Sequence, residues 1–404
     1  MTEDRRDGPL DVNAAPDPFD PSFIKTAVCR MNYPRAFQRP RAGPYSSAAT
    51  AACAPSMNDA QPVAWSDDRR KQDFEQWFDA IAARHGLRAQ TLVPASSDAS
   101  FRRYLRVQGE DTSFIVMDAP PPQENVRPFM HVASMLADAG LNAPRVIEAD
   151  VERGFLLLSD LGRVLYLDAL RAASASQADR LMRDAIAALV RWQSQADMRT
   201  LPPYDEALLQ RELDLFPTWC VEREFGHSWG DAQRAQWQRT CRGLIDSALA
   251  QPHVAVHRDW MPRNLMVADP NPGILDFQDA VAGPITYDLA SLLRDAFISW
   301  DEEREIDWAA RYWHEARRAA LPVPEDFGEF WRALEWMGAQ RHLKVLGIFC
   351  RLKHRDHKPQ YSGDLPRFFG YLARVATRYA PLTPLIELLE PMAGPLTTTG
   401  FTLR

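Results

Sequence analysis

The chain has 404 residues, 46% hydrophobic and 25% charged, a globular composition long enough for two packing units with a sizeable core. Its net charge of −7 gives no electrostatic ground for a nucleic-acid partner, and no stretch approaches the roughly 18 apolar residues that span a bilayer. Five scattered cysteines (Cys29, Cys53, Cys220, Cys241, Cys350) include no C-x-x-C pair, which argues against a zinc or redox motif and for a reducing cytoplasm.

Residues 1–62 are rich in Pro, Ala, Asp and Ser with no sustained period and read as a disordered leader, Met57 being a candidate for the true start. Helical patterning begins at Ser66, with Phe74, Trp77, Phe78 and Ile81 on one stripe and His85-Gly86 at its close. Short β-like runs at 91–94, 101–107 and 113–117, separated by Ser, Asp and Gly, predict a small antiparallel sheet. A helix follows over 128–139, with Pro at its start and Gly140 past its end, then further strands at 146–149 and 155–158. Ser159-Asp160-Leu161-Gly162 breaks this run, and beyond it helical periodicity dominates apart from short strands near 254 and 274. The order predicts an α+β chain: a sheet-rich lobe over 63–160, a hinge, and a larger helical lobe over 161–404. There is no internal repeat.

The segment His257-Arg258-Asp259-Trp260-Met261-Pro262-Arg263-Asn264-Leu265-Met266, followed by Gly273-Ile274-Leu275-Asp276-Phe277, carries the chemistry. Phosphoryl transfer needs a carboxylate to orient and deprotonate an attacking hydroxyl, and oxygen ligands for magnesium at the nucleotide phosphates. Asp259 suits the first task; Asn264, five residues on, and Asp276, after a short apolar strand, suit the second. Any one of them alone would be a capping or ion-paired residue, but the combination with its intervening apolar pairs is far rarer. The tripeptide recurs at His354-Arg355-Asp356, where Tyr361 stands in the Asn position and no strand-Asp-Phe follows, so Asp356 reads as structural or substrate-facing.

This loop resembles that of the aminoglycoside phosphotransferase and choline kinase superfamily, whose fold is protein-kinase-like. More narrowly, Asp98-Ala99-Ser100-Phe101-Arg102-Arg103-Tyr104, Val116-Met117-Asp118-Ala119-Pro120-Pro121-Pro122, the run from Gly154 to Gly162 and Asp276-Phe277-Gln278-Asp279-Ala280 resemble the anomeric N-acetylmuramate/N-acetylglucosamine kinases of bacterial cell-wall recycling, over residues 66–391. The resemblance implies ATP and Mg2+ as cofactors, a small amino sugar as acceptor, Asp259 as base, Asn264 and Asp276 as metal ligands, and His257 as the brace of the loop. Gly283-Pro284 and Tyr287-Asp288-Leu289-Ala290 match the family's next segment, which implies that Asp288 buttresses the loop; a plain helix N-terminal carboxylate is the alternative.

The likeness has a gap. A third-strand lysine usually holds the nucleotide phosphates, yet residues 113–117 have none, and no lysine occurs between Lys71 and Lys344. Arg102 or Arg103 is the expected substitute, strand alternation placing Arg102 and Arg106 on one face and Arg103 on the other. The small-residue turn with Ser97 and Ser100 stands where a glycine-rich phosphate loop would be. The same lysine gap excludes a P-loop.

In the helical lobe, Trp219, Trp229, Trp237, Trp260 and Trp300 offer faces for a pyranose, core packing being the alternative. Arg294 and Asp295 are candidate sugar contacts, with a surface salt bridge as the blander account, and the acidic run 301–305 is expected to form a solvated helix face. Aminoglycoside, choline and homoserine stay open as other acceptors, and a nucleotide-binding pseudokinase as another class.

Overall fold

The structure, a computed structural model, describes residues 63, 65, 67–97 and 101–397; the expected leader, Met57 and Ser100 lie outside them. Helix α1 (Asp68–His85) starts where the Asp67 side chain accepts from the Arg70 N–H at 2.8 Å, and stops at Gly86, which takes φ 60°. Five strands follow, β1 (Arg88–Ser97), β2 (Arg103–Gln108), β3 (Ser113–Asp118), β4 (Val146–Asp150) and β5 (Phe155–Ser159), with helix α2 (Val126–Asp138) between β3 and β4. They form one antiparallel sheet in the order β1-β2-β3-β5-β4.

The period of two sorts the sheet's side chains. Leu105, Val107, Val116, Phe155 and Leu157 meet the Phe74, Trp77, Phe78 and Ile81 stripe of α1, whereas Met117, Leu156 and Leu158 turn the other way into a core that runs on through α2 and the helical remainder. Each face also holds a buried charge. On the α1 side Asp118, 1% exposed, accepts from Arg70 Nε at 2.9 Å and Arg103 Nε at 3.0 Å, with the Arg70 guanidinium 3.8 Å from the centre of the Phe155 ring. On the other, Asp160 accepts from Arg106 at 2.5 and 2.9 Å, from Ser113 Oγ at 2.7 Å and from the Gly162 N–H at 2.9 Å. The break after β5 is therefore a carboxylate-anchored turn, and Gly162 at φ 102° supplies the backbone conformation it requires.

The helical part comprises α3 (Tyr166–Ala172), α4 (Ala175–Gln195), α5 (Glu206–Leu213), a π-helical segment (Phe216–Glu224), α6 (Asp231–Leu249), α7 (Tyr287–Leu293), α8 (Glu302–Arg318), α9 (Phe327–His354), α10 (Leu365–Arg378) and α11 (Pro384–Thr397). Between α6 and α7 lie two small ladders: β6 (His253–Val256) with β9 (Val281–Pro284), and β7 (Leu265–Met266) with β8 (Gly273–Ile274). Strand β9 was not expected, since Val-Ala-Gly-Pro carries little β propensity. Its Gly283 lies so close to Tyr204 that a Cβ would fall 2.8 Å from that side chain. Helix α9 is buried without interruption from Leu334 to Gly347, so Glu335, Gln340, Arg341, His342 and Lys344 are interior residues.

The acidic run at the start of α8 departs from expectation. Glu305 is fully buried and accepts from Arg294 at 3.0 Å and Arg374 at 3.1 Å, and Glu302 accepts from Arg378 at 2.5 Å, because the arginines of α10 pack against this face. Replacing Asp118 by Ala would leave Arg70 and Arg103 without their shared acceptor. The expected cost is about 3 kcal/mol, seen as a lower denaturant midpoint at an unchanged slope.

Candidate active site

Strand β6 delivers His257 into the interior, and the next residue, Arg258, takes φ 77°. The left-handed region is costly for a side chain of this size, on the order of 1–3 kcal/mol, and persists only where the surroundings fix it. Asp288, fully buried in the first turn of α7, does so by accepting from the His257 N–H at 2.7 Å through Oδ2 and from the Arg258 N–H at 2.9 Å through Oδ1. Burial drives Asp288 up to about 7 in spite of those two donors.

The Arg258 side chain is held separately. Its Nη2 meets Glu212 Oε1 of α5 at 2.5 Å, Lys344 Nζ of α9 reaches the same oxygen at 2.8 Å, and the Tyr204 hydroxyl donates to Oε2. Lys344 also donates to the Tyr287 hydroxyl at 2.9 Å. Burial alone would raise Glu212, but Lys344 and Arg258 outweigh it and bring the carboxyl down to about 2.

His257 lies edge-on to Trp260, ring centres 5.4 Å apart, and its Nδ1 accepts from the Asp259 N–H at 3.3 Å. Burial lowers its pKa to about 4 against the opposing pull of the Asp259 charge, so the ring is neutral at neutral pH and braces the loop as an acceptor.

Beyond it, a 3-10 turn (Pro262–Asn264) brings Asn264 back beneath Asp259. Asn264 Nδ2 donates to the Asp259 carbonyl at 3.0 Å and lies 3.4 Å from Asp276 Oδ2, which leaves Asn264 Oδ1 beside a carboxylate. Asp276, just past β8, takes φ 62°, and its Oδ1 accepts from Gln278 Nε2 at 2.9 Å. The Asp259 carboxylate itself accepts no hydrogen bond from the described residues, and is thus available to a substrate hydroxyl. Two adjacent hard oxygen ligands fit a divalent cation whose remaining positions are taken by phosphate oxygens and water. Among the described residues no group of three or more His, Cys, Asp or Glu gathers into a cage of its own.

A carboxylate with no hydrogen-bond donor among the described residues, two adjacent oxygen-bearing side chains and a doubly braced loop are the kinds of parts that phosphoryl transfer requires. Residues 91–330, well over half of the chain, match the family described as "Phosphotransferase enzyme family". The chain belongs to this family. The phosphotransferase is 55% identical over 337 residues to the N-acetylmuramate/N-acetylglucosamine kinase of Pseudomonas putida, covering 83% of this chain and 96% of that one. It is 52% identical over 334 residues to the protein of the same name in Pseudomonas aeruginosa, covering 81% and 98%. Its fold is similar to that of the ADP-bound aminoglycoside phosphotransferase APH(2'')-Ib at 14% identity, with a TM-score of 0.51, covering 72% of this chain and 96% of that one.

Elsewhere in the phosphotransferase, Ser97 ends β1 opposite Arg103. Arg102, one residue before β2, pairs with Glu124 at 3.5 Å, while Tyr104 of β2 packs on the core shared with the helical part. Arg103 is on the opposite face, bound to Asp118 and 4.6 Å from the Trp65 ring centre; strand alternation turns it from the cleft, which corrects its candidacy as a phosphate ligand. Trp260 is fully buried against His257 and cannot serve as a sugar platform. Arg294 and Asp295 need the same correction, being fully buried. Arg294 donates to Glu305 at 3.0 Å and Glu335 at 2.9 Å, and Asp295 Oδ2 accepts from the Phe297 N–H at 3.0 Å. Neither a surface salt bridge nor an open sugar contact describes them.

Glu212 and Lys344 escaped the sequence reading. The one visible signal was a lysine in an apolar stretch of α9 after a long lysine-free span, and nothing local links it to a glutamate 132 residues earlier in the phosphotransferase chain. Because the folded-state pKa of Glu212 lies near 2, below its ordinary 4.5, its contribution is present above 4.5 and lost as pH falls towards 2. The destabilisation caused by Glu212→Gln should therefore be largest at neutral pH and shrink over that acid window, as measured by denaturant titration at each pH.

Proposed function

We propose that this phosphotransferase is an ATP- and magnesium-dependent kinase of the cytoplasm that phosphorylates the anomeric hydroxyl of N-acetylmuramate and N-acetylglucosamine, giving sugar 1-phosphates for peptidoglycan recycling. The observation that carries the reading is the meeting of Asp259, Asn264 and Asp276 at one short loop and the strand end beside it. The names of the two Pseudomonas relatives support the choice of acceptor.

An anomeric hydroxyl is more acidic than an ordinary alcohol, so the Asp259 carboxylate has chiefly to hold it in line and accept its proton as the bond forms. The sugar oxygen attacks the γ-phosphorus, the bond to the β–γ bridging oxygen breaks, and ADP departs with that electron pair. Asn264 Oδ1 and Asp276 would hold magnesium, which when bound neutralises charge on the phosphates. His257, neutral and fixed by burial, keeps the Asp259 backbone in register. We assign nucleotide binding to residues 63–160 and catalysis with acceptor binding to 161–404.

Arg102 is the cation we assign to the phosphates in place of the strand lysine, with Glu124 holding it as an acidic partner. An aminoglycoside or choline would need free carboxylates or an aromatic cage in the acceptor site. The acidic run of α8 does not supply them, since Glu302 and Glu305 are tied to Arg374 and Arg378. The intact trio around Asp259 also argues against a pseudokinase.

Mass spectrometry of the products from ATP, magnesium and each amino sugar should detect the 1-phosphates, and an absence of both overturns the reading. Asp259→Asn should lower kcat by about 10²–10⁴-fold; parental turnover in the variant would remove Asp259 from its role. Arg102→Ala should raise KM for ATP by about tenfold, whereas Arg103→Ala should lower stability and leave that KM in place. The reverse pattern would exchange their assignments.

A further inference from the structure

Building on the amino-sugar reading, we propose that Arg263 receives the lactyl carboxylate of N-acetylmuramate and thereby sets the preference between the two sugars. Arg263 follows Asp259 by four residues and immediately precedes Asn264, so its backbone is fixed by the same turn that builds the site. Its side chain leaves in another direction. The guanidinium lies 5.3 Å from the ring centre of Phe297 and 5.8 Å from that of Tyr361, with Nη1 3.4 Å from the Tyr361 hydroxyl. Both rings belong to the helical part beyond β9.

Among the described residues Arg263 makes no ion pair with a carboxylate. An arginine held against aromatic rings keeps the edge of its planar fork for a bidentate acceptor. The wall behind it has the same chemistry. Tyr361 packs on Phe349 at 5.2 Å between ring centres, and Ser362 Oγ and the Nε atoms of Arg351 and Arg367 are buried with no hydrogen-bond partner among the described residues, while Arg367 also reaches Asp364 at 3.7 Å and donates to Ser299 Oγ. Burial and the nearby Arg355 lower the Arg351 pKa against the opposing charge of Asp356, which is itself paired with Arg355 at 2.8 Å.

N-acetylmuramate differs from N-acetylglucosamine by a lactyl ether on O3, hence by one carboxylate carried on the ring carbon two along from C1. The loop that bears Asp259 also bears the Arg263 cation four residues on, and we place that cation at the lactyl group of a sugar whose C1 hydroxyl meets Asp259. N-acetylglucosamine has no group for that cation and would leave it to water, which makes the charge a discriminator between the two acceptors.

The test compares kcat/KM for both sugars, and KM for ATP, in the wild type, Arg263→Gln and Arg263→Lys, with the methyl ester of N-acetylmuramate as a third acceptor. Arg263→Gln should lower the ratio of kcat/KM for N-acetylmuramate over N-acetylglucosamine by about tenfold or more, and Arg263→Lys should recover part of it. The wild type should use the ester as poorly as the glutamine variant uses the acid, a comparison that needs no altered protein. Equal falls for both sugars with a raised KM for ATP would put the guanidinium on the nucleotide and overturn the inference. Equal use of ester and acid by the wild type would overturn it too. A wild type that phosphorylates neither sugar would overturn the amino-sugar reading itself, a result distinct from the other two.

Discussion

Two buried carboxylates fix the catalytic loop, and everything at the site depends on them. Asp288 takes the backbone N–H groups of His257 and Arg258, while Glu212 takes the Arg258 side chain. The residue between these anchors has φ 77°, a conformation it would not keep unaided. The Asp259 carboxylate can thus hold its position without a hydrogen-bond donor among the described residues, since its backbone is fixed by the residues on either side. The two desolvated acids cost stability and in return preorganise the loop that carries Asp259, the base of the proposed reaction.

The seating of the sheet against the helices depends on where charge is buried. Asp118 collects two arginines on the face of the sheet that meets α1, and Asp160 collects another on the face turned towards the helices. Each carboxylate lies at or just beyond the end of a strand, where a ladder gives way to a turn and unpaired backbone groups need partners. The hinge sequence thereby acquires a definite shape, and the sheet is seated on the helical core through Met117, Leu156 and Leu158.

Much of this was legible in the sequence because it is local. The α1 stripe, the strand runs of the sheet and the spacing of Asp259, Asn264 and Asp276 each declare themselves within a few residues, by a period of 3.6, a period of two or a fixed offset. What stayed hidden is what tertiary packing decides. Arg102 and Arg103 are neighbours of identical chemistry, and only the sheet's placement against α1 separates the partner of Glu124 from the partner of Asp118. The 301–305 run looks solvated until the arginines of α10 close over it, and Arg294 looks exposed until Glu335 arrives from another helix. Strand β9 carries almost no signal because Gly283 is there to make room for Tyr204.

Helix α9 bears an acid and a base that serve different masters. Glu335 anchors Arg294 and Arg378 in a buried cluster, and Lys344, nine residues later, supports Glu212 beneath the loop that carries Asp259. At about 100° per residue these side chains leave opposite sides of the rod. Inserting or deleting a single residue between them would swing one of the pair away from its partner while the other stayed put. A change of length in this interval would therefore cost one buried charge its counter-ion, whereas one in the connections outside it would leave both pairs in place.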